Sequence, residues 1–120
     1  MAKFGKTELK ATGVTFKGRQ GYLWNLKKVL EKDPKGAYLT LRREPNNEVD
    51  ENAVAIIAHV KGGATMKIGY VPKNKAIWIA PAMDAGRITR CSNLSVNGGI
   101  KKDSNLGVRF QLAYELPERV

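Results

Sequence analysis

In the segment EPNNEVDEN, residues 44–52, four carboxylates and three asparagines stand together. An ionised carboxylate only accepts hydrogen bonds, so such a group receives hydroxyl donors or cations and repels phosphate. Metal chemistry is the first candidate. The segment lacks the D-x-D-x-D-G spacing of an EF-hand, and a carboxylate-only Mg²⁺ site needs several acids converging on one point. Asp50 with Glu44 or Asp84 would supply two, yet nothing in the spacing demands it. His59 and Cys91 are the sole histidine and cysteine, which leaves no Cys/His zinc set. No P-loop or G-x-G-x-x-G occurs, and KGGAT (61–65) reads as a turn. The expectation is a binding protein: not an enzyme, with no cofactor and no metal.

Charge defines the ligand class. Arg42 and Arg43 are outnumbered by Glu44, Glu48, Asp50 and Glu51, a local charge of −2 in a chain of net +10, so the remainder carries +12. A sequence pI near 9.9 makes nucleic acid the leading partner. The field of such a chain attracts phosphate backbones and weakens steeply with salt. The acidic segment is an island in a basic protein. The chain has 120 residues, 42% of them hydrophobic, which suits one folded domain. It has no run long enough to span a membrane, and MAKFGKTELK has no apolar core of a secretory signal. A single cysteine fits a reducing compartment, so a cytoplasmic protein is expected, nucleoid-associated if DNA-bound.

The elements that must position these groups follow from periodicity. ELKATGVTF (8–16) has the β-branched content of a strand. In RQGYLWNLKKVLEKD (19–33), Leu23, Leu26 and Leu30 share one helical face, and Asp33-Pro34 with Gly36 stops the helix. AYLTLRR (37–43) alternates as a strand, NAVAIIAHV (52–60) reads as a buried one, and Gly62-Gly63 turns into TMKIGYV (65–71). PKNKAIWIAPAMDAG (72–86) suggests a short helix that Pro81 kinks or ends early. RITRCSNLSV (87–96) and LGVRFQLAYEL (106–116) read as strands joined by the loop 97–105. The order is β-α-β-β-β-α-β-β. The expected fold is mainly β with two helices (α+β): a small six-stranded, modified OB-like or SH3-like, partly open barrel, or else an open sheet with helices on one side.

With the elements in place, REPNNEVDENAVAI resembles the signature of the HIRAN family, R-[ED]-P-x-N-x-x-D-x-N-A-[IV]-x-V. Arg43, Glu44, Pro45, Asn47, Asp50, Asn52, Ala53 and Val54 meet it. GVTF stands before it, and IGYVPK, a helix and AGR after it, so the resemblance covers about residues 12–115 in a single HIRAN-like domain over 1–120, with its core at about 10–116. A stand-alone bacterial or phage-type protein is expected. The resemblance implies an OB-like barrel that captures the 3′-hydroxyl end of single-stranded DNA. By position, Asp50 matches the aspartate accepting the terminal 3′-OH, with Asn47 assisting. Lys73 matches a phosphate-binding lysine, Phe16 an aromatic that stacks on a base, and Tyr70 a residue lining the same pocket. Lys17, Arg43 and Lys75 are further candidates for backbone contacts. The chain departs from the family where Glu48 and Val49 replace a Pro-Tyr pair, where Thr15 replaces a basic residue, and where the helix at 19–32 is inserted.

Bland roles compete for the same residues. Asp and Asn in a connection bond their own backbone two residues on, which suits Asp50, and Asn52 shapes the start of the next strand. Phe16 and Tyr70 also suit a core, Lys73 a solvated helix start, and Trp24 and Trp78 core anchors. Two function classes remain. One is a module for single-stranded or 3′-ended DNA in repair or replication-fork processing. The other is a protein-interaction domain that keeps this fold and docks to a separate helicase or nuclease. A cleft of Lys, Arg and aromatics marks the first, an apolar patch without cations the second.

Overall fold

The computed structural model describes residues 3–16, 18–98 and 105–117. The chain runs β1 (Phe4–Lys10), α1 (Arg19–Lys32), β2 (Ala37–Arg43), β3 (Val54–Val60), β4 (Thr65–Tyr70), α2 (Lys73–Asp84), β5 (Ile88–Gly98) and β6 (Leu106–Glu115), the order expected. Six of the residues in the expected 97–105 loop, 99–104, lie outside the described part, as does Lys17.

The strands form two antiparallel sheets of three, ordered β1-β6-β5 and β2-β3-β4. In β6 every second residue, Leu106, Val108, Phe110 and Leu112, is buried, the period of a strand with one wet face. Residues 54–58 of β3 are buried without interruption, and Val54, Ile56 and Ala58 face the core. Leu23 and Leu26 of α1 and Ile79 of α2 join them in one core. Truncating a side chain such as Phe110 to alanine there costs about 3–5 kcal/mol.

The barrel expectation is corrected in part. Six strands and two helices are present, but among the described residues the ladders do not close. At one junction Thr12 and Tyr70 exchange both backbone hydrogen bonds, at 2.8 and 2.9 Å, and form a lone bridge between the sheets. A Cβ on the neighbouring Gly69 would fall on the Thr12 carbonyl oxygen, so glycine permits the approach. At the other junction β2 lies beside β5 without a ladder. Register shifts between Ile88 and Arg90 and between Ser92 and Ser95, with Asn93 at φ 52, make the β5 edge irregular where it faces β2. A cavity of about 420 Å³ opens there, lined by Tyr38–Leu41, Met83 and Ile88–Cys91. Burial pushes the Cys91 thiol up to about 11, so it is a protonated, unreactive wall of that cavity.

Three local expectations also shift. The first strand lies at 4–10 rather than 8–16, because Gly13 takes φ +72 and residues 13–16 turn. α2 continues past Pro81 to Asp84, since a proline near the last turn removes a single backbone donor. Trp24 is not a core anchor but is 42% exposed, whereas Trp78 packs edge-on against Tyr114 with ring centres 5.0 Å apart.

Candidate functional site

The acidic segment folds itself. Pro45 follows Glu44 in a turn closed by the Asn47 amide donating to the Glu44 carbonyl at 3.1 Å. Asn47 Oδ1 then accepts from the amides of Val49 (2.9 Å) and Asp50 (3.1 Å), and Asp50 Oδ1 from the amide of Asn52 (2.9 Å). These are Asx turns, so the backbone-bonding role of Asp50 is real. It occupies one carboxylate oxygen; among the described residues no hydrogen bond reaches the other.

Arg43 fastens the loop from below. Its Nη1 donates to the carbonyls of Glu51 (3.1 Å) and Ala53 (3.0 Å), and its Nε pairs with Asp84 at the end of α2 (3.1 Å). With its side chain only 18% exposed, this guanidinium is engaged within the protein.

Glu44 joins the loop to β4. Its Oε1 accepts from the Tyr70 hydroxyl (2.8 Å) and Asn47 Nδ2 (3.1 Å), and its Oε2 from Lys67 Nζ (2.9 Å). Lys67 also donates to the Tyr70 hydroxyl at 3.0 Å. Burial alone would raise the Glu44 carboxyl; hydrogen bonds from Lys67, Tyr70 and Asn47, with the Lys67 charge, outweigh it and pull it down to about 2. The bonds to Tyr70 and Glu44 push the Lys67 ammonium up. Both groups stay ionised across the ordinary pH range.

Beyond Tyr70 the polar network becomes a cation–aromatic stack. The Arg19 guanidinium lies 4.8 Å from the centre of the Phe16 ring and 5.9 Å from that of Tyr70, and donates to the Gly13 carbonyl at 2.7 Å. Phe16 is 67% exposed, so it belongs to the surface and not to the core. Tyr70 is half-buried and serves both the stack and the acid network. Lys73 and Lys75 occupy the first turn of α2, which follows β4 after two residues; Lys73 is exposed and Lys75 half-buried.

The structure thus brings Asn47 and Tyr70 into one network through Glu44, carries Asp50 on the same loop, and sets Phe16 beside Tyr70 through Arg19. Arg43 serves the loop rather than standing free. Arg19, Lys67 and the bridging part of Glu44 were missed in the sequence: Glu44 counted only as a signature position, and nothing local marks Arg19 or Lys67. Among the described residues no three His, Cys, Asp or Glu side chains gather as a metal site, and no helix is long and apolar enough to cross a membrane.

A small β-rich domain that presents an Asx-folded acidic loop beside a cation–aromatic stack is the setting for the comparisons. The HIRAN domain model matches residues 4–115, and the chain belongs to that family. HIRAN domains are typically non-catalytic DNA-binding modules, which points to DNA as the ligand class. A crystal structure of a protein from Lactobacillus plantarum shares 20% identity at a TM-score of 0.49, covering 95% of this chain and 99% of that one; so slight a likeness bears on nothing further. No curated protein matches.

Proposed function

We propose that this domain binds single-stranded DNA at a free 3′-hydroxyl end, as a non-catalytic module in DNA repair or replication-fork processing. The observation that carries the reading is the junction at Tyr70, where the loop that bears Asp50 reaches, through Glu44, both Lys67 and the Phe16–Arg19 stack. In this reading Asp50 accepts the terminal hydroxyl, Asn47 holds the loop and assists, and Phe16 and Tyr70 face bases. Lys73 and Lys75 take the backbone phosphate. A carboxylate there repels a continued phosphodiester, so one acid in a basic surround separates a strand end from an interior. Each helix also begins with a cation, Arg19 on α1 and Lys73 on α2, and neither has an acid in its first turn. Such charges oppose the helix dipole and are relieved by an arriving phosphate.

The docking alternative calls for apolar surface away from cations. Two of the exposed large hydrophobics, Phe16 and Trp24, instead lie under cations, Arg19 at 4.8 Å and Lys27 at 5.4 Å, which suits nucleic acid; Phe4, Val49 and Ile77 are exposed as well.

The test is fluorescence anisotropy with one strand ending in 3′-hydroxyl or 3′-phosphate, for the natural chain and for Asp50→Asn. Asparagine keeps the acceptor that caps Asn52 but removes the charge, so the loop survives. A preference for the hydroxyl that disappears in the variant is expected. Equal binding of both ends by the natural chain sinks end capture and leaves a general basic binder.

A further inference from the structure

We propose that a second groove, between the ends of β1, β5 and β6, carries the phosphates of nucleotides on the 5′ side of the captured end. This rests on the 3′-end reading and extends it along the strand. The groove has a volume of about 340 Å³, and Lys10, Val14, Asn97, Asn105 and Arg109 are among its lining residues.

Three observations point to a polyanion. Lys10 and Arg109 are direct partners in the β1–β6 ladder, and like charges directly opposite on an antiparallel pair are destabilising. Their placement is unfavourable to the fold and favourable to a phosphate between them. Secondly, the Arg109 head is weakly held: its ion pair, to Glu8 at 3.5 Å, joins two exposed side chains and is readily exchanged for a ligand. Thirdly, the groove is built into the end-binding region. Val14 lies two residues before Phe16, and Gln20, next to Arg19, clamps the wall. Its Nε2 donates to the carbonyls of Val14 and Leu106, both at 3.0 Å, and its Oε1 accepts from the Leu106 amide at 2.8 Å. A strand leaving the Phe16–Arg19 stack by way of Val14 reaches the Lys10–Arg109 pair across a wall that Gln20 cross-links.

Charge reversal tests this with an internal control. Lys6 and Arg90 are exposed and share Ala113 as ladder partner, four residues along β6 from Arg109, or about 14 Å. K10E/R109E and K6E/R90E change net charge equally, one inside the groove and one outside. Binding is measured for 3′-hydroxyl strands of about four and about twelve nucleotides, a span typical of small single-strand binding folds. The natural chain should bind the longer strand more tightly. K10E/R109E should lose roughly tenfold or more on the long strand, with its salt slope reduced by about 1.4, and keep its hydroxyl preference on the short one. K10Q/R109Q should show a similar fall in slope with a smaller loss of affinity, and melting temperatures no lower than the natural chain's would show all three variants folded. A length gain that persists in K10E/R109E, or that falls equally in K6E/R90E, overturns the groove while the end reading stands. Failure of the natural chain to bind either strand overturns both.

Discussion

The Tyr70 hydroxyl donates to Glu44 Oε1 at 2.8 Å across a separation of 26 residues, and that bond connects the acidic loop to the aromatic surface. Lys67 closes the triangle by reaching both groups. The tyrosine ring is therefore held from its hydroxyl end with its orientation fixed, while the loop is held in turn by the ring. Tyr70→Phe keeps the ring and deletes the connection. It should lower stability by about 1–2 kcal/mol, read from urea unfolding, because it strips a donor from a partly buried carboxylate. DNA affinity should fall less than in Tyr70→Ala, which also removes a stacking face worth about 1–3 kcal/mol. A phenylalanine variant as stable as the natural chain would show that the network does not hold the loop.

Acid should loosen the same network. The folded state pulls the Glu44 carboxyl from 4.5 down to about 2, so it binds its proton less readily than the unfolded chain does. The contribution to stability is full above pH 4.5 and is lost as pH falls towards 2. Its size is about 1–3 kcal/mol, reduced from the bare shift because solvent still reaches the side chain. Glu44→Gln should be less stable at neutral pH and show a shallower fall between pH 4.5 and 2 in urea titrations. Parallel pH profiles for the two proteins would locate the acid sensitivity elsewhere.

What the sequence disclosed divides along local and non-local lines. α1 was legible because Leu23, Leu26 and Leu30 repeat at helical spacing and Pro34 follows. β6 was legible from its alternation. β1 was misplaced because its residues are mostly exposed and owe their strand to pairing with β6, a partner about a hundred positions away. The open junction between β2 and β5 depends on bulges around Asn93, and no residue pattern announces a bulge in advance. The loop declared itself through proline, asparagine and aspartate, whose turn chemistry is local. Arg19 did not, because its meeting with Tyr70 exists only once Thr12 and Tyr70 have bridged the sheets.

Arg19 supplies a direct check on the stack. Arg19→Lys keeps the charge but loses the planar group that lies over Phe16, and Arg19→Gln loses the charge as well. Under the proposed function both should weaken single-strand binding, by roughly threefold to tenfold for glutamine, without altering any base preference. The salt slope should fall in the glutamine variant alone. If glutamine binds as the natural chain does, the guanidinium serves only to hold the Gly13 carbonyl, and melting temperature will register the loss instead.

The bridge between the sheets hangs on a residue without a side chain. Gly69 precedes Tyr70, and a methyl group there would strike the Thr12 carbonyl oxygen, which is the acceptor of the Tyr70 amide. The methyl group also meets the side chains of Ala11 and Val14, each at 3.4 Å, so the chain has little room to step aside. Gly69→Ala should therefore part Thr12 from Tyr70 and cost about 1–3 kcal/mol or more, the usual range for overpacking. Amide exchange at Thr12 and Tyr70 should quicken well beyond that in the β1–β6 ladder, since the sheets themselves do not need the bridge. The Phe16–Arg19 stack should separate from the Glu44 network in the same variant, and single-strand binding should fall even under conditions where the protein remains folded. Protection at Thr12 and Tyr70 equal to that of the natural chain would mean that backbone flexibility absorbs the methyl group and that the bridge is not what joins the two halves of the site.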